Sequence, residues 1–148
     1  MEYFQSYLET DSKNEVDWQY LGDAYASLGN TEEALKAYNE CLQLHKGNMQ
    51  ALEKMGRVFM EQKKFNAVLK VYQRMIEHHP EQVQGYYYSA IAHLNLGNAA
   101  LGIQFLNKSV EVQPAFRQGY LTLANIYRQQ GNEALANQFQ QKAQQLGN

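Results

Sequence analysis

The side chains of this 148-residue chain that could carry out covalent chemistry are one cysteine and four histidines. None of the histidines stands in an H-E-x-x-H arrangement, and no carboxylate pattern around them predicts a metal site. Cys41 falls at a small, packed position of a helical pattern, where a thiol is inert core and not a nucleophile. The sequence has no P-loop and no G-x-G-x-x-G motif. We therefore expect no catalytic residues, no metal and no cofactor, and interpret the chain as non-enzymatic.

Other side chains are suited to a different chemistry, the recognition of a peptide. In the run Tyr86, Tyr87, Tyr88, consecutive helical residues point about 100° apart, so the three rings cannot share one face. Tyrosine offers an apolar ring and a hydroxyl, which suits interface hot spots. Arg57 and Arg128 could orient a carboxylate through charge-assisted hydrogen bonds. Two alternatives remain open: a tyrosine could pack against a neighbouring helix, and an arginine could be a solvated charge or part of an intramolecular pair.

Composition limits the classes of partner. The net charge of −2 argues against a strongly basic nucleic-acid binder. No apolar run approaches the roughly 20 residues of a membrane span, and the first residues lack the pattern of a signal peptide. We expect a protein or peptide partner, no nucleic acid, no membrane insertion and, by default, a cytoplasmic location. The 18 glutamines and 12 asparagines, spread along the chain, give an uncharged polar surface.

Charge is distributed unevenly along the chain. Residues 1–48 hold 9 acidic and 3 basic side chains, a net charge of −6. Residues 49–148 hold 6 acidic and 10 basic side chains, a net charge of +4. Such a gradient could orient a peptide or favour head-to-tail contact between copies. A weak homo-oligomer is therefore an open alternative, beside a purely solvated surface.

The elements that position these side chains follow from a repeat. The first unit reads Trp18-x-x-Leu21-Gly22-x-x-Tyr25, one stripe of a helix. The same positions recur three more times at one constant interval, and Gly-Asn pairs that end a helix recur at Gly29, Gly97 and Gly131. Small residues inside the first helix, such as Gly22, predict that the second helix approaches closely there. A small residue in the second helix, such as Gly102, would supply the matching gap.

This pattern resembles the tetratricopeptide repeat. The resemblance implies an all-α fold, a right-handed superhelical solenoid of antiparallel helix pairs, with repeats at 15–48, 49–82, 83–116 and 117–148. Residues 1–14 fit the back half of an earlier unit and are expected to form an N-terminal helix, as a half repeat or a cap. In the last unit Gln140 replaces the aromatic of the pattern, so its second helix is expected to be a C-terminal cap.

The resemblance also implies where a ligand binds. In this family the first helices of the pairs line a concave groove, and the residues that point away from each pair's own core face it. We expect peptide-binding residues at Gln19, Tyr20, Asp23, Arg57, Gln84, Tyr87, Tyr88, Asn125 and Arg128. The implied function is a protein–protein interaction scaffold that binds a peptide segment. Two alternatives stay open: a self-assembling structural or assembly factor, and a substrate-recruiting domain of a larger protein.

Overall fold

Eight α-helices and no strand form between residues 14 and 147, the part of the chain that the computed structural model describes. The contacts divide these helices into two units, with the division between His79 and Pro80. Unit 1 contains α1 (Glu15–Ser27), α2 (Thr31–Leu44), α3 (Met49–Glu61) and α4 (Phe65–His78). Unit 2 contains α5 (Val83–Asn95), α6 (Ala99–Val112), α7 (Arg117–Gln129) and α8 (Glu133–Leu146).

The odd-numbered helices, here called A helices, alternate with the even-numbered B helices. Each A helix packs against the B helix that follows it, and within each unit the first B helix also packs against the second A helix. The A helices begin at one constant interval along the chain, at Glu15, Met49, Val83 and Arg117. The N-terminal helix expected over residues 1–14 lies outside the described residues except for Asn14.

The A helices end in a left-handed turn. Gly29, Gly97 and Gly131 have φ of 76°, 81° and 76°, a region that glycine enters without steric cost. Lys63, at the corresponding position of the second repeat, also has a positive φ of 55°. In each turn the backbone N–H of the next residue donates a hydrogen bond to a carbonyl in the last turn of the helix. The Lys64 N–H, for example, donates to the Phe59 carbonyl at 2.9 Å.

The helix starts are only partly capped as the sequence predicts. The side-chain oxygens of Asn14 and Asn48 accept backbone hydrogen bonds of 2.9 Å in the first turns of α1 and α3. Asn132 does the same for α8, at 3.2 Å. Asn30 and Asn98 make no such bond, so the starts of α2 and α6 lack a side-chain cap.

The gap at Gly22 is filled differently from the prediction. The fully buried ring of Tyr38, one turn beyond the small residue of α2, lies where a Cβ of residue 22 would stand. Gly56 has the same relation to Tyr72, whose Cζ is 2.5 Å from the place of a Cβ. The A-helix glycine therefore receives a tyrosine ring from the B helix. At Gly102 the direction is reversed, because Leu94 of the A helix fills the space beside that B-helix glycine.

Candidate functional site: the A-helix surfaces

In unit 1, α1 and α3 meet through two polar contacts that the repeat spacing creates. The amide nitrogen of Gln19 donates to the side-chain oxygen of Gln50, and Gln19 is only 9% exposed. The ammonium of Lys54 lies 3.3 Å from the Asp23 carboxylate. The two glutamines are 31 residues apart in the sequence, and the ion pair has the same separation. Both contacts therefore join successive A helices with the same offset, and they lie one helical turn apart on each helix.

Asp23 has a second partner inside its own repeat. The hydroxyl of Tyr38 donates to the same carboxylate oxygen at 2.6 Å. Burial raises the pKa of Tyr38 far above its usual value, and the hydrogen bond to Asp23 and the charge of that carboxylate raise it further. Asp23 therefore holds α2 and α3 against α1, and its carboxylate already has two partners.

Tyr20 and Arg57 are the predicted residues of unit 1 that face solvent. The side chain of Tyr20 is 57% exposed. Arg57 is exposed, and no ion pair of its guanidinium is found within residues 14–147. Beside Arg57 a depression of about 310 Å³ is lined by Ala26, Val58 and Glu61, among others. The two exposed side chains thus supply an aromatic ring and a cation, and the cation lies beside a small hollow.

In unit 2 the predicted tyrosines belong to an aromatic group. The ring of Tyr87 meets Tyr88 edge to face at 5.4 Å between centroids, and meets Phe116 in the same way at 5.1 Å. Tyr87 also packs against the buried cluster of the unit. Tyr87 and Tyr88 are both half-buried. The side-chain oxygen of Gln84, also on α5, is buried without a hydrogen-bond partner in the described part of the chain.

The remaining predicted residues lie on α7. The guanidinium of Arg128 donates to the side-chain oxygen of Asn125 at 3.2 Å, one turn apart on the helix, and both side chains are exposed. The five predicted residues of unit 2 thus divide into a half-buried aromatic and amide group on α5 and an exposed polar pair on α7.

Family models of the tetratricopeptide repeat match residues 15–58, 53–119 and 118–146. The chain belongs to the tetratricopeptide repeat (TPR) family. The recognition made from the sequence is thereby confirmed, and the chain is a protein–protein interaction scaffold of the TPR type.

Solved structures of MamA share the fold of this TPR chain. A crystal structure of MamA aligns with a TM-score of 0.86 at 19% identity, over 97% of this chain and 84% of the other. MamA from Desulfovibrio magneticus RS-1 aligns with a TM-score of 0.82 at 19% identity, over 99% and 82%. At this identity the likeness shows the fold alone, and it confirms the all-α, TPR-like class. No curated protein sequence matches the chain.

Three side chains outside the predicted set of binding residues contact members of that set in this TPR geometry. Gln50 and Lys54 contact the predicted Gln19 and Asp23, and the shared interval of 31 residues could have found both pairs. Phe116 joins the tyrosines from the end of the loop before α7. Phe116 precedes its A helix, so a prediction based on positions within the A helices could not include it.

The TPR helices show no feature of a metal or membrane protein within residues 14–147. No group of three or more His, Cys, Asp or Glu side chains there could hold a metal ion. None of the described helices is both long and apolar enough to cross a bilayer. The imidazole of His45 lies 2.8 Å from the carboxylate of Glu15, which ties α2 to α1 and forms no larger cluster.

Cys41 is expected to be unreactive while the TPR fold is intact. Its side chain is fully buried, and burial, followed by the charge of Glu15, raises the pKa of the thiol to about 11. Only the thiolate attacks thiol reagents, so at pH 8 labelling should require an opening of the structure. We expect labelling of the native chain to be at least about 100-fold slower than labelling in denaturant. Equal rates in the two states would contradict this burial.

Proposed function

We propose that this TPR chain binds a peptide segment of a partner protein on its A-helix surfaces, the solvent-facing sides of α1 and α3 in unit 1 and of α5 and α7 in unit 2. The observation that carries the proposal is the pair Tyr20 and Arg57. Both are large and exposed, and neither is needed to hold its repeat together. An exposed aromatic ring and a cation without an ion pair are side chains typical of interface hot spots.

The polar network of unit 1 gives these two residues a rigid base. Gln19 and Asp23, predicted as ligand contacts, are engaged with Gln50, Lys54 and Tyr38. We assign them the role of fixing α1 against α3, so that the distance between the aromatic ring and the cation stays constant. A preorganised surface loses less conformational entropy on binding.

The proposed ligand is an extended or helical segment with an apolar side chain and a carboxylate. The ring of Tyr20 would cover the apolar side chain, and the guanidinium of Arg57 would bind the carboxylate. In unit 2, Tyr88 and the Asn125–Arg128 pair offer the same two chemistries. The expected affinity is roughly micromolar, or about −8 kcal/mol.

We expect Tyr20→Ala and Arg57→Ala to weaken capture of the partner by about tenfold each, since interface hot spots are worth at least about 1–2 kcal/mol. Helicity and melting should change little, because both side chains are exposed. Lys36→Ala, an exposed change on α2, is the matched control. The measurement is affinity capture from a lysate of the source cells, followed by titration with the identified partner. Unchanged capture by both variants would argue against the A-helix surface.

The uneven charge favours one alternative, association between copies of the chain, with the acidic residues 1–48 meeting the basic residues 49–148. Sedimentation of the same variants over a range of protein concentrations separates the two functions. A monomer at all concentrations excludes self-assembly, whereas association that weakens with salt would favour it over the peptide surface. A recruiting domain of a larger protein would use the same A-helix surfaces.

A further inference from the structure

A second concave feature lies in unit 1 on the opposite side of α3 from Arg57. We call it the α2–α4 cleft. Its floor is formed by Leu52, Met55 and Phe59, which follow one face of α3, and its volume is about 220 Å³. Val71 is among the residues of α4 that form one wall.

Two cations stand at the rim of this cleft. Lys70 and Arg74 lie one turn apart on α4 and both line the cleft, with Lys70 exposed and Arg74 half-buried. Neither makes an ion pair with any residue between 14 and 147. Glu77, the next acid along α4, accepts a hydrogen bond from Gln73 at 3.3 Å. On the α2 side the rim carries the neutral amide of Asn39.

Unit 2 shows what side chain this kind of cleft accommodates. At the corresponding positions, two repeats later in the chain, Leu135 stands in place of Ala67 and Phe139 in place of Val71. The ring of Phe139 stacks on Tyr127, with 5.6 Å between centroids and 6° between planes. In unit 2, therefore, Phe139 lies against the ring that corresponds to Phe59, whereas in unit 1 the smaller Val71 leaves this place open.

We propose that the α2–α4 cleft is a second interaction surface, which binds an acidic segment of a partner protein by inserting one phenylalanine side chain. The phenyl ring would lie against Phe59 and Val71, as Phe139 lies against Tyr127 in unit 2. Carboxylates on either side of that phenylalanine would meet Lys70 and Arg74, two cations one turn apart that make no ion pair within residues 14–147. This surface is independent of the A-helix surface, since the two lie on opposite faces of α3.

The test uses a synthetic peptide in which one phenylalanine is flanked on each side by two glutamates. It is titrated into the whole chain while the methyl resonances of Leu52, Met55 and Val71 are followed by NMR, which detects a Kd even on the order of 1 mM. We expect these resonances to shift in a saturable way. A peptide with alanine in place of phenylalanine, and one with lysines in place of the glutamates, should bind at least about tenfold more weakly.

Two variants of the chain decide the site. Val71→Phe copies the residue of unit 2 and should fill the cleft, so it should reduce peptide binding at least about tenfold without lowering the melting temperature. The pair Lys70→Glu and Arg74→Glu should reduce binding by at least that factor, and salt should then strengthen the residual binding where it weakens binding to the wild type. Lys142→Ala, which removes an exposed cation from α8 in unit 2, should leave the shifts of the three cleft residues unchanged.

Several results would overturn the proposal. No saturable shift with the phenylalanine peptide would mean that the cleft is only a packing gap. Equal binding by wild type and Val71→Phe would place the peptide elsewhere, and loss of binding in Arg57→Ala alone would place it on the A-helix surface. If Val71→Phe changes the sedimentation of the chain but not its peptide binding, the occupant is a second copy and not an acidic partner segment.

Discussion

Replacing Gly22 by alanine is expected to destabilise the first helix pair by about 1–3 kcal/mol, although alanine is the better helix former. A methyl group at this position would stand inside the ring of Tyr38. That ring cannot move aside easily, because it is fully buried and its hydroxyl is bonded to Asp23 at 2.6 Å. The cost of overpacking should therefore exceed the gain of about 1 kcal/mol in helix propensity. Denaturant unfolding followed by circular dichroism measures the difference.

The third repeat shows how to relieve this clash. There the corresponding positions hold Ala90 and Leu106, both fully buried in the core of unit 2. A chain with Gly22→Ala and Tyr38→Leu would copy this pair. We expect the double variant to be more stable than the sum of the single changes predicts, by about 1 kcal/mol or more. The loss of the hydroxyl bond to Asp23 keeps it below the wild type.

The control for this cycle is Gly97→Ala. Gly97 has a φ of 81° and nothing within 4 Å of the place of its Cβ, so alanine there is strained without touching a neighbour. Its effect should simply add to that of Tyr38→Leu. If the effects of Gly22→Ala and Tyr38→Leu on the free energy of unfolding are also additive, the complementarity of glycine and tyrosine does not stabilise the helix pair.

The sequence was sufficient to predict the fold class because the repeat encodes it several times over. Helix periodicity, the Gly-Asn turns and the small residues of the A helices all agree on one repeat length, and the structure has A helices beginning at Glu15, Met49, Val83 and Arg117. Even the second repeat, which has Lys63 where the others have glycine, forms the same left-handed turn. Stacking against the neighbouring helices overrides the local preference of that residue.

The candidate site was less predictable than the fold. The exposure of a side chain depends on which neighbouring side chains contact it, and the position within the repeat does not specify those neighbours. Asp23 and Arg57 occupy equivalent positions of two repeats, yet Asp23 is engaged by Tyr38 and Lys54 while Arg57 faces solvent. Tyr87 was expected on the ligand face, and its position alone gave no sign of Phe116, which packs against its ring. The position of a residue within the repeat predicts the direction in which its side chain points. Whether that side chain is free to contact a ligand depends on the side chains of neighbouring helices.

The α2–α4 cleft could not be predicted from the repeat positions either. Val71 and Phe139 are both acceptable apolar residues for one B-helix position, and the sequence pattern treats them alike. Only their volumes differ, and the volume decides whether the groove beside α3 is filled, as in unit 2, or open. Repeats that share a fold can thus differ in binding surfaces through one or two side chains that the fold itself does not restrict.

The second large effect is expected for Leu123→Ala in unit 2. Leu123 is fully buried in a cluster with Ala90, Leu106 and Ile126, against which Tyr127 and others pack. Removing the Cγ and both Cδ carbons from such a site should cost about 2–5 kcal/mol, since rigid neighbours close the cavity only in part. The cluster joins α5, α6 and α7, so the loss should affect the whole unit and not one helix.

Hydrogen exchange and denaturant unfolding measure this effect. Amide protection in α5 to α8 should fall with the free energy of unfolding, because no single helix pair buries enough apolar surface to remain folded alone. Leu96→Ala, at the exposed end of α5 in the same unit, is the matched control and should change stability by only about 0.5 kcal/mol. Similar losses for the two leucines would show that the cluster around Leu123 is not the core on which unit 2 depends.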